Sequence, residues 1–183
     1  MAEKLEEAGI SCRKEVGGAG VVAEIGEGDQ VFAIRVDMDG LPIKETNAVP
    51  YCSQNDGVMH ACGHDAHTAM GLGAALILKK TPPTNGRVRI VFQPAEEDTN
   101  HNGKSGATLM MEDGAFEEVS GVLSLHVFPD LSCGSIAVRS GPVLAACDKF
   151  EIVIKGRGSH GAYPEFGLDP VVISSQVVQA IQT

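Results

Sequence analysis

The sequence predicts an α/β fold in which a sheet carries helices on both faces. Short apolar runs with strand character alternate with helical segments along most of the 183 residues. The apolar share of 43% suffices for a hydrophobic core, and glycines and prolines separate the successive runs. No internal repeat or low-complexity tract interrupts this alternation.

A first domain, predicted over residues 1–146, contains the elements of this sheet. Two apolar arms, 21–25 and 31–36, flank the turn residues 26–29 and are predicted to pair as a β-hairpin. The other predicted elements are, in order, a helix over 2–8 ended by Gly9, a helix over 66–80 capped by Asp65, a strand over 87–92, a helix over 105–111 and a strand over 122–127.

The pattern changes after residue 142, where a second domain is predicted over residues 147–183. Residues 150–155 alternate between apolar and polar like a half-exposed strand, and Asp169-Pro170 opens a helix that runs to the last residue. One strand and one helix bury too little apolar surface to stand alone. We therefore interpret this segment as the beginning of a smaller α+β domain.

The charge balance excludes several classes of partner. The net charge is −10 with only 14 basic residues, which argues against binding to nucleic acid or to an anionic membrane and suits cation binding. Five cysteines, an odd number without framework spacing, indicate reduced thiols and argue against a secreted disulfide scaffold. No signal peptide or apolar run long enough to span a bilayer is present, so the sequence predicts a cytoplasmic protein.

The densest group of reactive side chains lies in residues 60–67, which contain three histidines, one cysteine and one aspartate. Cys62 and His64 are two residues apart, a spacing that does not share a helix face. They can meet on one ion only where the backbone is looped or extended, and Gly63 permits this. We therefore predict a ligand pair in the loop before the helix.

Other interpretations of this motif stay open. His60 with His64, or His64 with His67, could form a metal pair on a helix, although the motif lacks the glutamate of H-E-x-x-H. Cys62 could be a buried reduced thiol in a polar turn, or the nucleophile of a thiol-dependent hydrolase.

Further candidates follow predicted strands, where the sites of open α/β sheets lie. Glu96 and Glu97 come directly after the strand over 87–92, and because successive side chains point to opposite sides, one could bind a metal while the other handles a proton. His126 lies on the polar face of its strand, and Asp37 and Asp39 could orient a ligating imidazole. The alternatives are an acidic surface turn, a hydrogen-bonded core histidine and an Asx turn.

A glycine-rich turn at residues 156–164 presents His160. A phosphate cradle is the weaker interpretation, because the turn lacks G-K-[ST] and a helix N-terminus in the required place. We expect His160 to donate a hydrogen bond to a substrate oxyanion.

Five motifs resemble, in order and spacing, the M20 metallopeptidase family, and within it the amidohydrolase branch of N-acyl-amino-acid, hippurate and indole-acetyl-amino-acid hydrolases. The resemblance extends over nearly the whole chain. The motifs are residues 32–42 (FAIRVDMDGLP), 59–70 (MHACGHDAHTAM), 92–97 (FQPAEE), 125–127 (LHV) and 148–164 (DKFEIVIKGRGSHGAYP).

The resemblance implies a catalytic domain that binds two divalent ions, Mn or Zn, and an inserted lid domain that mediates homodimer formation. It implies hydrolysis of the amide bond of small N-acyl amino acids or peptides by a metal-activated water. The matching positions imply four metal ligands, a general acid/base and a lid histidine that reaches the substrate. These are, in that order, Cys62, His64, Glu97 and His126; Glu96; and His160.

The chain also departs from the family pattern. A further histidine ligand of the family lies beyond the point where this sequence ends, an N-terminal helical segment is absent, and residues 98–104 resemble a small insertion with His101. We therefore expect a chain truncated at both ends that is not a competent catalyst by itself. The alternative is a non-catalytic fragment that acts as a metal-binding or interaction module.

Overall fold

A computed structural model describes residues 1–145, 148 and 150–182. The chain forms two compact units, Met1–Ile136 and Ala137–Thr183. The predicted domain boundary between residues 146 and 147 lies outside the described residues. None of the helices in the described part of the chain is long and apolar enough to cross a membrane.

The first unit is a five-stranded mixed sheet with three helices, which confirms the predicted α/β class. The strand order is β1-β2-β4-β3-β5, with β4 antiparallel to β2 and parallel to β3, and β3 parallel to β5. The elements are, in chain order, α1 (Ala2–Glu7), β1 (Cys12–Val16), β2 (Gly20–Glu27), β3 (Val31–Asp37), α2 (His64–Lys80), β4 (Gly86–Gln93), α3 (Gly106–Glu112) and β5 (Val119–Leu123).

The predicted hairpin between the second and third strands is wrong, because β4 lies between them. Val22 of β2 pairs with Val91, and Ile34 of β3 pairs with Ile90. The residues between β2 and β3 are just long enough to cross two strand spacings of about 4.8 Å each. Ile90 and Val91 point to opposite faces and are both fully buried, so β4 is a central strand.

Helices cover both faces of this sheet, as predicted. On one face Leu5 of α1 and Ala75 of α2 pack with Ile90 and Phe92, and on the other Met110 of α3 packs with Val91. Helix α2 lies close to the sheet because Gly71 faces it: an added Cβ there would approach Val36 to 2.8 Å. This contact fixes the height of α2 above the ends of β3 and β4.

Helix α2 begins two residues earlier than predicted, so His64 lies in its first turn and not in the preceding loop. The N-cap is Gly63 and not Asp65. Gly63 has φ +82, a left-handed conformation that glycine adopts without strain, and this allows the turn to close immediately before His64.

The second unit contains a 3₁₀ turn, Pro164–Phe166, and helix α4, Pro170–Ile181. Asp169 caps α4 by accepting a hydrogen bond from the Val171 N–H at 2.9 Å, which confirms the predicted helix start. The strand predicted over 150–155 does not form. Within the described part of this unit the sole β-bridge joins Arg157 to Leu168, and an alternating pattern without a partner strand cannot satisfy its backbone hydrogen bonds.

Candidate metal centre

Seven of the eight predicted site residues lie together in the first unit. Strands β3, β4 and β5 are parallel, so their carboxyl ends meet at one edge of the sheet, and the N-terminus of α2 lies at the same edge. The seven are Asp37 and Asp39 at and after β3, Cys62 and His64 at the start of α2, Glu96 and Glu97 after β4, and His126 after β5.

The two ring nitrogens of His64 have different surroundings. Its Nδ1 lies 3.1 Å from the Asp39 backbone oxygen and 3.2 Å from Asp39 Oδ1. Both partners can only accept, so Nδ1 carries the hydrogen and Nε2 is the nitrogen available to a cation. Among the described residues His64 Nε2 has no hydrogen-bond partner although it is buried.

Glu97 supplies the facing group. Its Oε1 is also buried and without a hydrogen-bond partner among the described residues, and it lies 3.8 Å from His64 Nε2. Two buried polar atoms left unpaired cost free energy, whereas one cation bonded at about 2.0–2.2 Å to each would satisfy both. The residues present therefore fit a bound divalent ion.

Cys62 and His126 extend this donor set. Cys62 Sγ lies 3.4 Å from His126 Nε2, and His126 Nδ1 donates to the Val127 backbone oxygen at 2.6 Å. The available nitrogen of His126 therefore faces the thiol. The donor atoms of Cys62, His64 and His126 lie within 4.8 Å of one another, as do those of His64, Glu96 and Glu97, so His64 belongs to both groups.

The environment of Cys62 is suited to a ligand and not to a nucleophile. Burial, a hydrogen bond to Glu97 and the negative charges of Glu97, Glu96 and Asp37 raise the pKa of the Cys62 thiol to about 11. A catalytic cysteine needs a lowered pKa to attack as a thiolate near neutral pH. This opposes the thiol-dependent alternative, while a bound cation would favour the thiolate directly.

Asp39 joins three parts of the site. Its Oδ2 accepts hydrogen bonds from the backbone N–H groups of Glu96 at 2.9 Å and Glu97 at 3.1 Å, while Oδ1 contacts His64. Ala95, directly before the glutamates, has φ +46, so the turn that places them is strained. Asp39 therefore contacts the His64 imidazole, and its role in orienting a metal-ligating imidazole stays a prediction.

The two glutamates face different surroundings, as the alternation of extended backbone leads one to expect. The Glu96 side chain is 41% exposed and its Oε2 lies 3.9 Å from His64 Nε2, whereas the Glu97 side chain is 23% exposed. Glu96 is thus open to solvent beside the donor group.

His67 also belongs to the site, although the sequence indicated it only as a possible partner of His64 in a metal pair on a helix. It is fully buried; its Nδ1 donates to Asp37 Oδ1 and its Nε2 accepts the Val127 N–H at 2.9 Å. Asp37, His64 and His67 have donor atoms within 4.8 Å. Both ring nitrogens of His67 are nevertheless engaged, so the pair His64 with His67 is not available to an ion.

Asp37 is held as a carboxylate in this network. Burial raises the pKa of Asp37, but the hydrogen bond from His67 and the charge of Arg35, 2.7 Å away, outweigh it, so the net pKa lies below the ordinary value. The imidazole that Asp37 orients belongs to His67, and the hypothesis that Asp37 orients a metal-ligating imidazole stays a prediction.

His160 lies in the second unit and is exposed. Its Nδ1 accepts the Ala162 N–H at 3.1 Å, which leaves Nε2 as the outer nitrogen. Its predicted contact with a substrate stays a prediction.

Comparison with known proteins connects this geometry to a family. The pattern of the family described as "Peptidase family M20/M25/M40" matches residues 33–183. N-acetyl-L-cysteine deacetylase of Bacillus subtilis is 43% identical over 98% of this chain and 42% of its own length. Thermostable carboxypeptidase 2 of Saccharolobus solfataricus is 42% identical over 99% of this chain and 46% of its own.

A solved structure resembles the chain as well. The crystal structure of Bacillus subtilis YXEP, described as a dinuclear metal-binding peptidase of the M20 family, superposes with a TM-score of 0.70 at 42% identity, over 76% of this chain and 39% of that one. The chain spans less than half the length of these relatives. The match covers well over half of its residues, and the chain therefore belongs to the peptidase M20/M25/M40 family.

Proposed function

We propose that the protein hydrolyses the amide bond of N-acyl amino acids or small peptides with the aid of two bound divalent ions. The observation that carries this proposal is a pair of buried atoms, His64 Nε2 and Glu97 Oε1, which face each other at 3.8 Å and have no hydrogen-bond partner among the described residues. The deacetylase and carboxypeptidase names of two relatives support the substrate class, and the dinuclear relative supports the number of ions.

Cys62, His64, Glu97 and His126 would hold the ions. A bound divalent cation lowers the pKa of a water and polarises a carbonyl oxygen, which is the chemistry that these ligands recruit. A thiolate ligand favours zinc, and the imidazoles and carboxylates also tolerate manganese. Asp39 fixes the hydrogen of His64 on Nδ1, so Nε2 would be the nitrogen that binds an ion.

Glu96 is the general acid/base in this proposal. Its exposed carboxylate takes the proton of the attacking water and returns it to the leaving amine. His160 would donate to the substrate oxyanion, and the lid domain would mediate a homodimer. The thiols of all four described cysteines are free, which suits the reducing cytoplasm.

Substitution of each glutamate in turn distinguishes a role in ion binding from a role in proton transfer. In the full-length protein, Glu96→Gln should keep its metal content but lower kcat on N-acetyl and N-benzoyl amino acids by about 10²-fold or more. Glu97→Gln should lose metal, because it removes the charge that faces His64 Nε2. Elemental analysis and steady-state kinetics measure the two effects.

His101→Gln is a matched control, since His101 lies in the exposed loop after the glutamates, and it should change neither quantity. The role assignment is reversed if Glu96→Gln loses metal while Glu97→Gln retains it. A protein that binds metal and cleaves none of these substrates would instead support the non-catalytic alternative.

A further inference from the structure

His67 lies at the centre of a buried hydrogen-bonded chain that reaches the segment carrying His126. Gln93 of β4 accepts from Arg35 Nε at 2.8 Å, Arg35 Nη1 donates to Asp37 at 2.7 Å, and Asp37 accepts from His67 Nδ1. At the other end of the ring, Nε2 accepts the Val127 N–H at 2.9 Å. The chain thus runs from two sheet strands through α2 to the loop after β5.

The partners of His67 determine which of its ring nitrogens donates and which accepts. A backbone N–H can only donate, so His67 Nε2 must be the acceptor and Nδ1 must carry the hydrogen. The carboxylate of Asp37 requires the same arrangement. Gln93 is buried and Arg35 donates to both neighbours, so the position of His67 is held from the sheet side.

Val127 connects His67 to His126, because its backbone N–H and its backbone carbonyl oxygen each form a hydrogen bond with one of the two histidines. Its N–H is held by His67, and its carbonyl oxygen accepts from His126 Nδ1 at 2.6 Å. The second bond leaves His126 Nε2 facing Cys62 Sγ at 3.4 Å. The His67 ring also lies edge-to-face with the His126 ring, with centroids 4.6 Å apart.

We propose that His67 is a positioning residue that, through the Val127 backbone, sets the orientation and tautomer of His126. This rests on the proposed function, in which His126 is a metal ligand. Without the bond to His67, the Val127 N–H loses its buried acceptor, and the exposed segment after β5 is held less firmly. His126 would then turn freely, and its metal affinity would fall without loss of a ligand.

Three variants of the full chain test this positioning role. His67→Phe keeps an aromatic ring between His64 and His126 but removes both hydrogen bonds. His67→Gln places an amide oxygen near the position of Nε2 and can restore the bond to Val127. The matched control is Thr68→Val, which removes the 3.1 Å hydrogen bond of the next helical residue to the Asp37 backbone oxygen and keeps the two hydrogen bonds of His67.

The readouts are the hydrogen-exchange rate of the Val127 amide, the ¹⁵N shifts of His126 in metal-free protein, and the Kd for zinc. In the wild type the amide should be protected and His126 should carry its hydrogen on Nδ1. His67→Phe should lose both features and weaken zinc binding by about 10- to 100-fold, the usual effect of losing a group that orients a ligand. His67→Gln should recover part of the affinity, and Thr68→Val should match the wild type.

Two results overturn the proposal. One is a Val127 amide that exchanges as fast in the wild type as in His67→Phe. The other is a folded His67→Phe, or a folded His67→Leu if the former does not fold, with wild-type zinc affinity and an unchanged His126 tautomer. If the wild type binds no zinc, the proposed function fails. The amide and tautomer measurements on metal-free protein then still decide the positioning role.

Discussion

His64 and His126 each have one ring nitrogen in a hydrogen bond to oxygen, and His67 differs from both. His64 and His126 each donate from Nδ1 to backbone or carboxylate oxygen and keep Nε2 available, whereas both nitrogens of His67 are engaged. Their residue types and spacing are visible in the sequence, but their partners Asp39 and Val127 are remote in the chain. Spacing alone therefore could name the histidines but could not tell a ligand from a supporting residue, and only the family resemblance singled out His64 and His126.

Cys62 should show an unusual pH dependence when the metal is absent. Because its thiol pKa is raised to about 11, only a small fraction is thiolate at pH 8. Alkylation by iodoacetamide should accelerate about tenfold per pH unit and level off only near pH 11, since the thiolate is the reactive form. Zinc should protect Cys62, and Glu97→Gln, which removes an acceptor and a charge that raise the pKa, should speed the reaction at pH 8.

Peptide mapping by mass spectrometry follows each cysteine separately. A rate for Cys62 that levels off by pH 9 in metal-free protein would show an ordinary thiol and contradict the described surroundings.

At the scale of elements, local pattern identifies strands better than it identifies their neighbours. Strand β4 was expected over 87–92 and is observed at Gly86–Gln93, but its insertion between β2 and β3 depends on contacts that no local pattern contains. The strand predicted over 122–127 ends at Leu123. The Val127 N–H donates to His67 and not to β3, so a side chain of the site replaces the sheet ladder there.

A glycine-to-alanine substitution should change the free energy of unfolding in opposite directions in the turn before α2 and within α2. Gly63→Ala should destabilise the protein by about 2 kcal/mol or more, because left-handed backbone costs roughly 1–2 kcal/mol and the new methyl group would clash with Val127. Gly73→Ala, within the same helix and with open space around its Cα, should instead stabilise by up to about 1 kcal/mol.

Urea unfolding of both variants beside the wild type measures these differences. Equal effects of the same sign at the two positions would contradict the assigned backbone and packing of the turn.

At the scale of the whole molecule, the site is assembled by topology. The site side chains follow three parallel strands whose carboxyl ends share an edge, and this general rule allowed them to be grouped before their distances were known. The second unit differs in that none of the described residues in 137–182 is buried. Val153 and Val172, for example, are 69% and 55% exposed. A single helix and a loop cannot form a core, as the sequence indicated.

The central claim is that Cys62 is a ligand in a cation site shared with His64, Glu97 and His126. X-ray absorption at the zinc edge tests it most directly, on zinc-loaded wild type, Cys62→Ser and the control Cys133→Ser, whose cysteine is exposed. We expect a sulfur neighbour at about 2.3 Å in the wild type and in Cys133→Ser, and only nitrogen or oxygen neighbours at about 2.0–2.2 Å in Cys62→Ser. The absence of a sulfur shell in the wild type, or the same shell in Cys62→Ser, would contradict the claim.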